Sequence, residues 1–255
     1  MQPGNTLWPS ALIVSLPYEV PCYFMDVVLA VTNKVPVTPV RGAGHPQGIF
    51  VMERLLDRAA RELGLDRAEI RRRNLIKTEQ LPYKKELKTR GESFVILDSG
   101  NYHACMEDAL ERIDFIGFRE KKERALKEGK FIGIGVANYV KGTGRGPFET
   151  VSVRVGPSGK IMVCSGAAAM GQSTRTMLTQ IVAEHLGGDM QNIEVVIGDS
   201  SAVPMGIGGS ASRQTVTAGS SALLAATEVR DKALKIAAHM LETSEDDLEF
   251  DGSEI

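Results

Sequence analysis

Cysteine and aromatic side chains are scarce in this sequence, and no motif in it assembles a metal site. The three cysteines, Cys22, Cys105 and Cys164, are odd in number and far apart. No CxxC, HExxH or ferredoxin-type spacing occurs, which argues against a zinc site, an iron–sulfur cluster or a disulfide framework built by this chain alone. Any metal is therefore expected to arrive inside a cofactor. Charge of one sign is lacking too: 30 Lys and Arg stand against 32 Asp and Glu, a formal net charge of -2. The basic clusters EIRRRN and YKKELKTR are short and mixed with acids, so no nucleic-acid surface is expected. Long hydrophobic runs are absent: ALIVSL is broken by Pro9 and Pro17 and has no basic leader. Neither a signal peptide nor a membrane span of about 20 residues is expected, and the chain reads as cytoplasmic. The absence of GxxxxGK weighs against a phosphoryl-transfer enzyme.

What the sequence does have lies between Gly166 and Thr215. Two glycine- and serine-rich loops, GAAAMGQST and IGDSSAVPMGIGGSASRQT, flank a helical stretch and the strand-like IEVVIGD. Each loop ends where a helix is expected to begin, so free backbone N–H groups and small side chains can close around an anionic, polar ligand. A large phosphorylated cofactor suits that arrangement.

The periodicities predict an α/β (α+β) fold of mixed sheets with packed helices. Strands are expected at MDVVLAVTN, SFVIL, FIGIGVANYV, FETVSVRVG, KIMVCSG and IEVVIGD. A helix over about 49–63 carries Met52, Leu56, Ala59 and Leu63 on one side and stops at Gly64. Asp66 caps a short helix over 67–74, with Glu69 completing a capping-box-like pair. Helices follow at about 101–112, 118–128 and 174–186, and a long one over 218–241 places Ala226, Val229, Ala233, Ala237 and Met240 on one stripe. A change of composition suggests two regions, a helical, charged 1–129 and a glycine-rich α/β 130–255.

The motifs together resemble the molybdopterin-binding subunit of the xanthine dehydrogenase, aldehyde oxidase and bacterial aromatic hydroxylase family. The resemblance is carried by TNKVPVTPVRGAGHPQGIFVMERLLDRAARELGLDRAEIRRRNLI, ILDSGNYHACMEDAL, GKFIGIGVANYVKGTGRGPFETVSVRV, GAAAMGQSTRTMLTQIVAEHLG and IEVVIGDSSAVPMGIGGSASRQTVTAGSSA, in family order over nearly the whole chain. It implies molybdenum held by molybdopterin, with the cytosine dinucleotide form as an option. Its enzymes hydroxylate a heteroaromatic ring carbon next to nitrogen, or oxidise an aldehyde, with water as the oxygen source. Electrons leave through [2Fe-2S] clusters to FAD, which are expected on partner subunits. Residues 1–129 then read as a partial subdomain carrying a substrate-side loop, and 130–255 as a molybdopterin-binding subdomain that is incomplete at its C-terminus.

Residue by residue, Gly171 and Gln172 match the family turn beside the molybdenum ligands, where the glutamine carboxamide donates to an oxo or dithiolene-side acceptor and accepts from the pterin. Ser173 stands where the family commonly has Gly. Ser210, Ala211, Ser212 and Arg213 match the loop that wraps the pterin phosphate or its nucleotide extension, with Arg213 able to fork to a phosphate. Arg72 corresponds to a basic residue near the same cofactor, Arg71 and Arg73 being the alternatives for the inward position. Arg41, followed by Gly42, occupies the substrate-facing loop, where an arginine steadies negative charge developing on the ring; anchoring the loop to a carboxylate is its blander role. The carbon-monoxide-oxidising branch has a copper-binding cysteine where Gly42 stands, so carbon monoxide is a poor substrate candidate.

Glu53 and Asp57, four apart on a helix, read better as a surface network with Arg61 than as an acid–base pair. His45 and His185 read as loop and helix-end residues. The family's base glutamate, in a glycine-flanked motif, and its GGGFG-type loop have no counterpart here. A fragment or split subunit, completed by another chain and inactive alone, is therefore expected. A non-catalytic scaffold or a module binding another phosphorylated ligand is the alternative.

Overall fold

Gly64 and Asp66 divide what is otherwise one long amphipathic stretch into two helices. Gly64 takes φ +65°, which a side chain disfavours, and its N–H returns to the carbonyls of Ala60 and Arg61, closing α1 (His45–Leu63). Asp66 at once opens α2 (Arg67–Asn74), its carboxylate accepting from the N–H groups of Ala68 at 2.7 Å and Glu69 at 3.3 Å. The second half of the expected capping box is not made. Glu69 is instead taken by Arg72 at 2.6 Å and Arg73 at 2.7 Å, because charged guanidinium donors one turn away outcompete a neutral amide.

This computed structural model describes residues 13–28, 30, 32–35, 40–88, 93–144, 146–250 and 254. The chain divides into two compact units, Met1–Lys141 and Gly142–Ile255. In the first, an antiparallel hairpin of β1 (Tyr83–Lys88) and β2 (Phe94–Leu97) is followed by α3 (Tyr102–Arg112) and α4 (Phe118–Lys127). Asn101 caps α3, its side-chain oxygen accepting from Ala104 N–H at 2.9 Å. Leu56 and Ala60 of α1, Ala68 and Ile70 of α2, Met106 and Leu110 of α3, and Tyr18 form one core. Ile13, Leu16, Ile76 and Leu97 form a smaller one beside the hairpin.

Two expected strands are not strands. Residues 25–28 of MDVVLAVTN run irregularly with Val28 79% exposed, and Leu29 and Val31 of that segment lie outside the described residues. FIGIGVANYV keeps the period-two burial of a strand, with Val136 and Val140 packed on the cores, but among the described residues no neighbouring strand supplies a ladder. Alternation alone reports a half-buried extended chain, and the hydrogen bonds that define a sheet need a partner. On α1, Leu63 is 67% exposed, while Glu53 faces inward.

Lys85 of β1 is buried, its ammonium donating to the carbonyls of Ser15, at 3.3 Å, and Tyr18. Burial lowers its pKa from 10.5 to about 8, Glu19 opposing the shift. Above that value the folded chain gives up a proton that the unfolded chain retains until its own, higher pKa. Stability therefore rises with pH from about 8 to 10, by up to about 2–3 kcal/mol at 1.36 kcal/mol per unit. Urea melts across that window are expected to show the rise in the wild type and to lose it in Lys85→Met.

In the second unit β3 (Val151–Val155) and β4 (Ile161–Ser165) form a hairpin, closed by a turn in which Gly156 N–H meets Lys160 O at 2.8 Å. Strand β5 (Ile193–Ile197) pairs with β4 in parallel, a connection that requires a crossover, here α5 (Thr174–Leu186). Helix α6 (Gln214–Leu241) packs with α5 over one face of the sheet. Val163, Val195, Leu178 and Val182 are at the centre of that core, closed by Ala218, Ala222 and Ala226 of α6.

The stripe expected on α6 is thus displaced toward its N-terminal half. Val229 reaches the core, but Ala238 is buried rather than Ala237, and Met240 is 76% exposed. A 28-residue helix is about 42 Å long and five-residue strands about 17 Å, so the far half of α6 overhangs the sheet.

Candidate functional site

Because β4 and β5 run parallel and in register, Ser165 beside Ile197, both strands end at the same rim of the sheet. From that rim 166–173 runs into α5 and 198–213 into α6. The carboxyl ends of parallel strands are where open α/β sheets bind ligands. Neither Ser173 nor Arg213, the residues preceding α5 and α6, caps its helix with a side-chain hydrogen bond, so each first turn presents amides and the positive end of a helix dipole.

The 170s turn and the 210s turn touch. Gln172 Nε2 donates to Gln214 Oε1, and Thr174 Oγ1 donates to the same oxygen at 2.8 Å. Gln214 Nε2 donates to Ala168 O at 2.7 Å, and Met170 N–H donates to Gln172 Oε1 at 2.5 Å. A methyl at Gly209 would lie 2.6 Å from Gln214 Nε2, so glycine is what leaves room for the clasp.

Buried Glu149 holds the loops from behind. Its carboxylate accepts from Gly208 N–H at 2.9 Å and Ile207 N–H at 3.3 Å, while Gly166 and Gly206 meet in front of it at their Cα atoms.

Gly171 takes φ +86°, and Ala211 and Ser212 take φ +49° and +53° before Arg213 turns into α6. Ser210, Ala211 and Ser212 are exposed on this turn. Arg213 is buried beneath it; Nη2 donates to Phe148 O, and a methyl on Gly146 would lie 2.9 Å from the guanidinium carbon. Its Nε has no hydrogen-bond partner, an unsatisfied buried donor.

Ser173 sits at φ +61°, ψ +35° with its hydroxyl making no cap. A left-handed non-glycine residue carries a steric cost of about 1–2 kcal/mol, partly offset in Gly by unfolded-state entropy. Ser173→Gly is expected to raise the unfolding free energy by about 0.5–1 kcal/mol, read from the denaturant midpoint.

Arg41 and Arg72 lie in the first unit. Arg41 is exposed in a turn where Gly42 takes φ +111° and a Cβ would lie 3.1 Å from Pro46, so a cysteine at 42 would be strained. No ion pair to a carboxylate holds Arg41 among the described residues. Arg72 spends three N–H groups on carboxylates, two on Glu107 at 2.7 and 3.1 Å and one on Glu69, which raise its pKa. The inward arginine of the three is Arg71.

Buried Arg71 also corrects the expected surface network. Its Nε donates to Glu53 at 2.7 Å and its Nη2 to Asp57 at 3.0 Å, and Tyr18 OH donates to Glu53 at 2.6 Å. Arg61 is not their partner. Among the described residues no three His, Cys, Asp or Glu side chains gather to hold a metal.

A sequence model described as a molybdopterin cofactor-binding domain matches residues 108–255, and a second of the same description matches 4–75. The chain belongs to the molybdopterin cofactor-binding family. Within that family it is 39% identical to the 6-hydroxypseudooxynicotine dehydrogenase complex subunit gamma of Paenarthrobacter nicotinovorans, over 94% of this chain and 30% of that protein. It is 32% identical to the carbon monoxide dehydrogenase large chain of Hydrogenophaga pseudoflava, over 96% of this chain and 32% of that protein. Among solved structures, quinoline 2-oxidoreductase from Pseudomonas putida 86 superposes with a TM-score of 0.72 at 32% identity, covering 86% of this chain and 28% of that one. The chain thus spans about a third of the length of these molybdopterin-binding relatives. Gln214 and Glu149 were not singled out in the sequence, since a polar residue at a helix start or a strand entry carries no local signal.

Proposed function

We propose that this chain forms part of the molybdopterin site of a molybdenum hydroxylase or dehydrogenase that oxidises a heteroaromatic or aldehyde substrate with water as oxygen source. The observation that supports this most is the joining of two glycine-rich loops at one sheet rim, in front of two uncapped helix N-termini. The donor set fits an anionic pterin: the exposed turns at Gly171 and at Ser210 and Ala211, the Gln172 carboxamide, and beneath them the buried, unpartnered Arg213 Nε. The bound group supplies the redox metal and the two-electron acceptor.

The chain's own residues bind and orient. Amides of the 210s turn and the α6 start hold phosphate oxygens, with Arg213 stiffening that turn from beneath. Gln172 offers its carboxamide beside the metal ligands. Arg41 steadies negative charge that develops on the substrate. Arg72 has its charge balanced and its fork largely taken by Glu107 and Glu69, which leaves it little to offer a cofactor. Iron–sulfur and FAD subunits carry electrons away, and polypeptide beyond the matched third of the relatives supplies the general base.

Purification of the chain assembled with its iron–sulfur and FAD subunits, followed by metal and pterin analysis, tests this. About one molybdenum and one pterin per complex is expected, and no turnover by the chain alone. A complete complex without pterin overturns it.

A further inference from the structure

We propose that Gln214 is a positioning residue that commits Gln172 to act as a hydrogen-bond donor toward the bound group. The inference rests on the molybdopterin reading above. It follows from two backbone groups whose polarity cannot be reversed. Ala168 C=O can only accept, so the Gln214 atom 2.7 Å from it is the nitrogen, and Oε1 is turned toward Gln172 and Thr174. Met170 N–H can only donate, so the Gln172 atom 2.5 Å from it is the oxygen, and Nε2 is turned toward Gln214. The two orientations are set independently, and they meet as donor against acceptor. Reversing either amide would bring N–H against N–H or oxygen against oxygen.

The count of what remains gives the consequence. Gln214 Oε1 accepts two hydrogen bonds, from Gln172 and Thr174, and is saturated. Gln172 has one N–H in the clasp and one lone pair of its oxygen drawn back to Met170, so one N–H and one lone pair remain, and the clasp fixes where that N–H stands. The remaining N–H recognises an acceptor, an anionic oxygen or sulfur. Without the clasp only Met170 N–H holds the carboxamide, about a terminal torsion that is broad and two-fold, and its oxygen is freer to turn toward the ligand. Gln214 is nearly buried, at 7% exposure, and stands on the first turn of α6, so the orientation of Gln172 is tied to the loop that follows β5.

The test uses Gln214→Leu, which removes the acceptor at similar size, and Thr174→Val, which removes only the other donor to that oxygen and leaves the Gln172–Gln214 bond. In the chain labelled with 15N, the Gln172 side-chain amide is identified by its loss in Gln172→Met. Its hydrogen exchange is expected to quicken at least tenfold in Gln214→Leu and to stay within threefold of wild type in Thr174→Val. In the complex assembled with the iron–sulfur and FAD subunits, Gln214→Leu is expected to lower kcat at least tenfold. KM and pterin content stay within twofold, and the paramagnetic resonance signal of the reduced metal shifts. A loaded complex in which Gln214→Leu leaves kcat and that signal unchanged overturns the role of Gln214 alone. Unchanged amide exchange in the isolated chain does the same. A wild-type complex without pterin overturns the cofactor reading and, with it, the ligand assigned to Gln172.

Discussion

Arg71→Leu is expected to lower the unfolding free energy of the chain by about 3–5 kcal/mol, the cost of breaking a buried ion pair from one side. Arg71 is fully buried and gives each guanidinium nitrogen a partner. Nε meets Glu53, Nη2 meets Asp57 at 3.0 Å and Glu53 O at 3.2 Å, and Nη1 meets Arg67 O at 2.8 Å. Burial opposes its charge, yet Glu53 and Asp57 outweigh burial and the pKa rises. Removing Arg71 strands the Glu53 carboxylate, 6% exposed, beside Tyr18. Tyr18 keeps its proton, since burial and Glu53 push its pKa far up, and its neutral hydroxyl does not balance that charge. The double variant Arg71→Leu with Glu53→Leu removes both charges, and it is expected to recover at least half of the loss because desolvation is then no longer owed. Urea unfolding of wild type, both single variants and the double variant measures this cycle. A single-variant loss below about 1 kcal/mol would show that the pair is solvated.

The contrast between what could and could not be read from the sequence follows sequence distance. Asp66, Gly64 and Asn101 start or stop helices through neighbours one to four residues away, so α1, α2 and α3 were legible. The run Arg71, Arg72, Arg73 spans about 200° of helix, so one arginine had to face inward. Which one depended on Glu53, eighteen residues back, and nothing local names it. The same holds for FIGIGVANYV, where alternation was visible and the missing ladder was not. At the candidate site the two glycine-rich loops and the helices after them were legible from composition. Gln214 and Glu149 act across 42 and 58–59 residues and left no trace in the local pattern.

Gly166→Ala is expected to unlatch the loops of the second unit, as Gly206→Ala is from the opposite side of the same contact. The added methyl would lie 2.7 Å from Gly206 Cα and 2.7 Å from Glu149 Oε1. The first neighbour is backbone and cannot rotate away. The second is tied to Gly208 and Ile207 N–H and cannot move without leaving them unpaired. Overpacking of this kind costs about 1–3 kcal/mol, and an unpaired buried carboxylate or amide adds to it. Gly133→Ala, where an added methyl meets nothing within 4 Å, is expected to stay within about 0.5 kcal/mol of wild type. Hydrogen exchange at Ile207 and Gly208 is expected to quicken at least tenfold in Gly166→Ala and in Glu149→Leu alike, since both release the same loop. In the assembled complex both variants should lose most of their pterin, because the 210s turn then no longer closes on the 170s turn. Full pterin content in a Gly166→Ala complex whose loop amides do exchange fast would separate the two effects. The Glu149 latch would then be a device of folding only, and the ligand would be gripped by the helix termini without it.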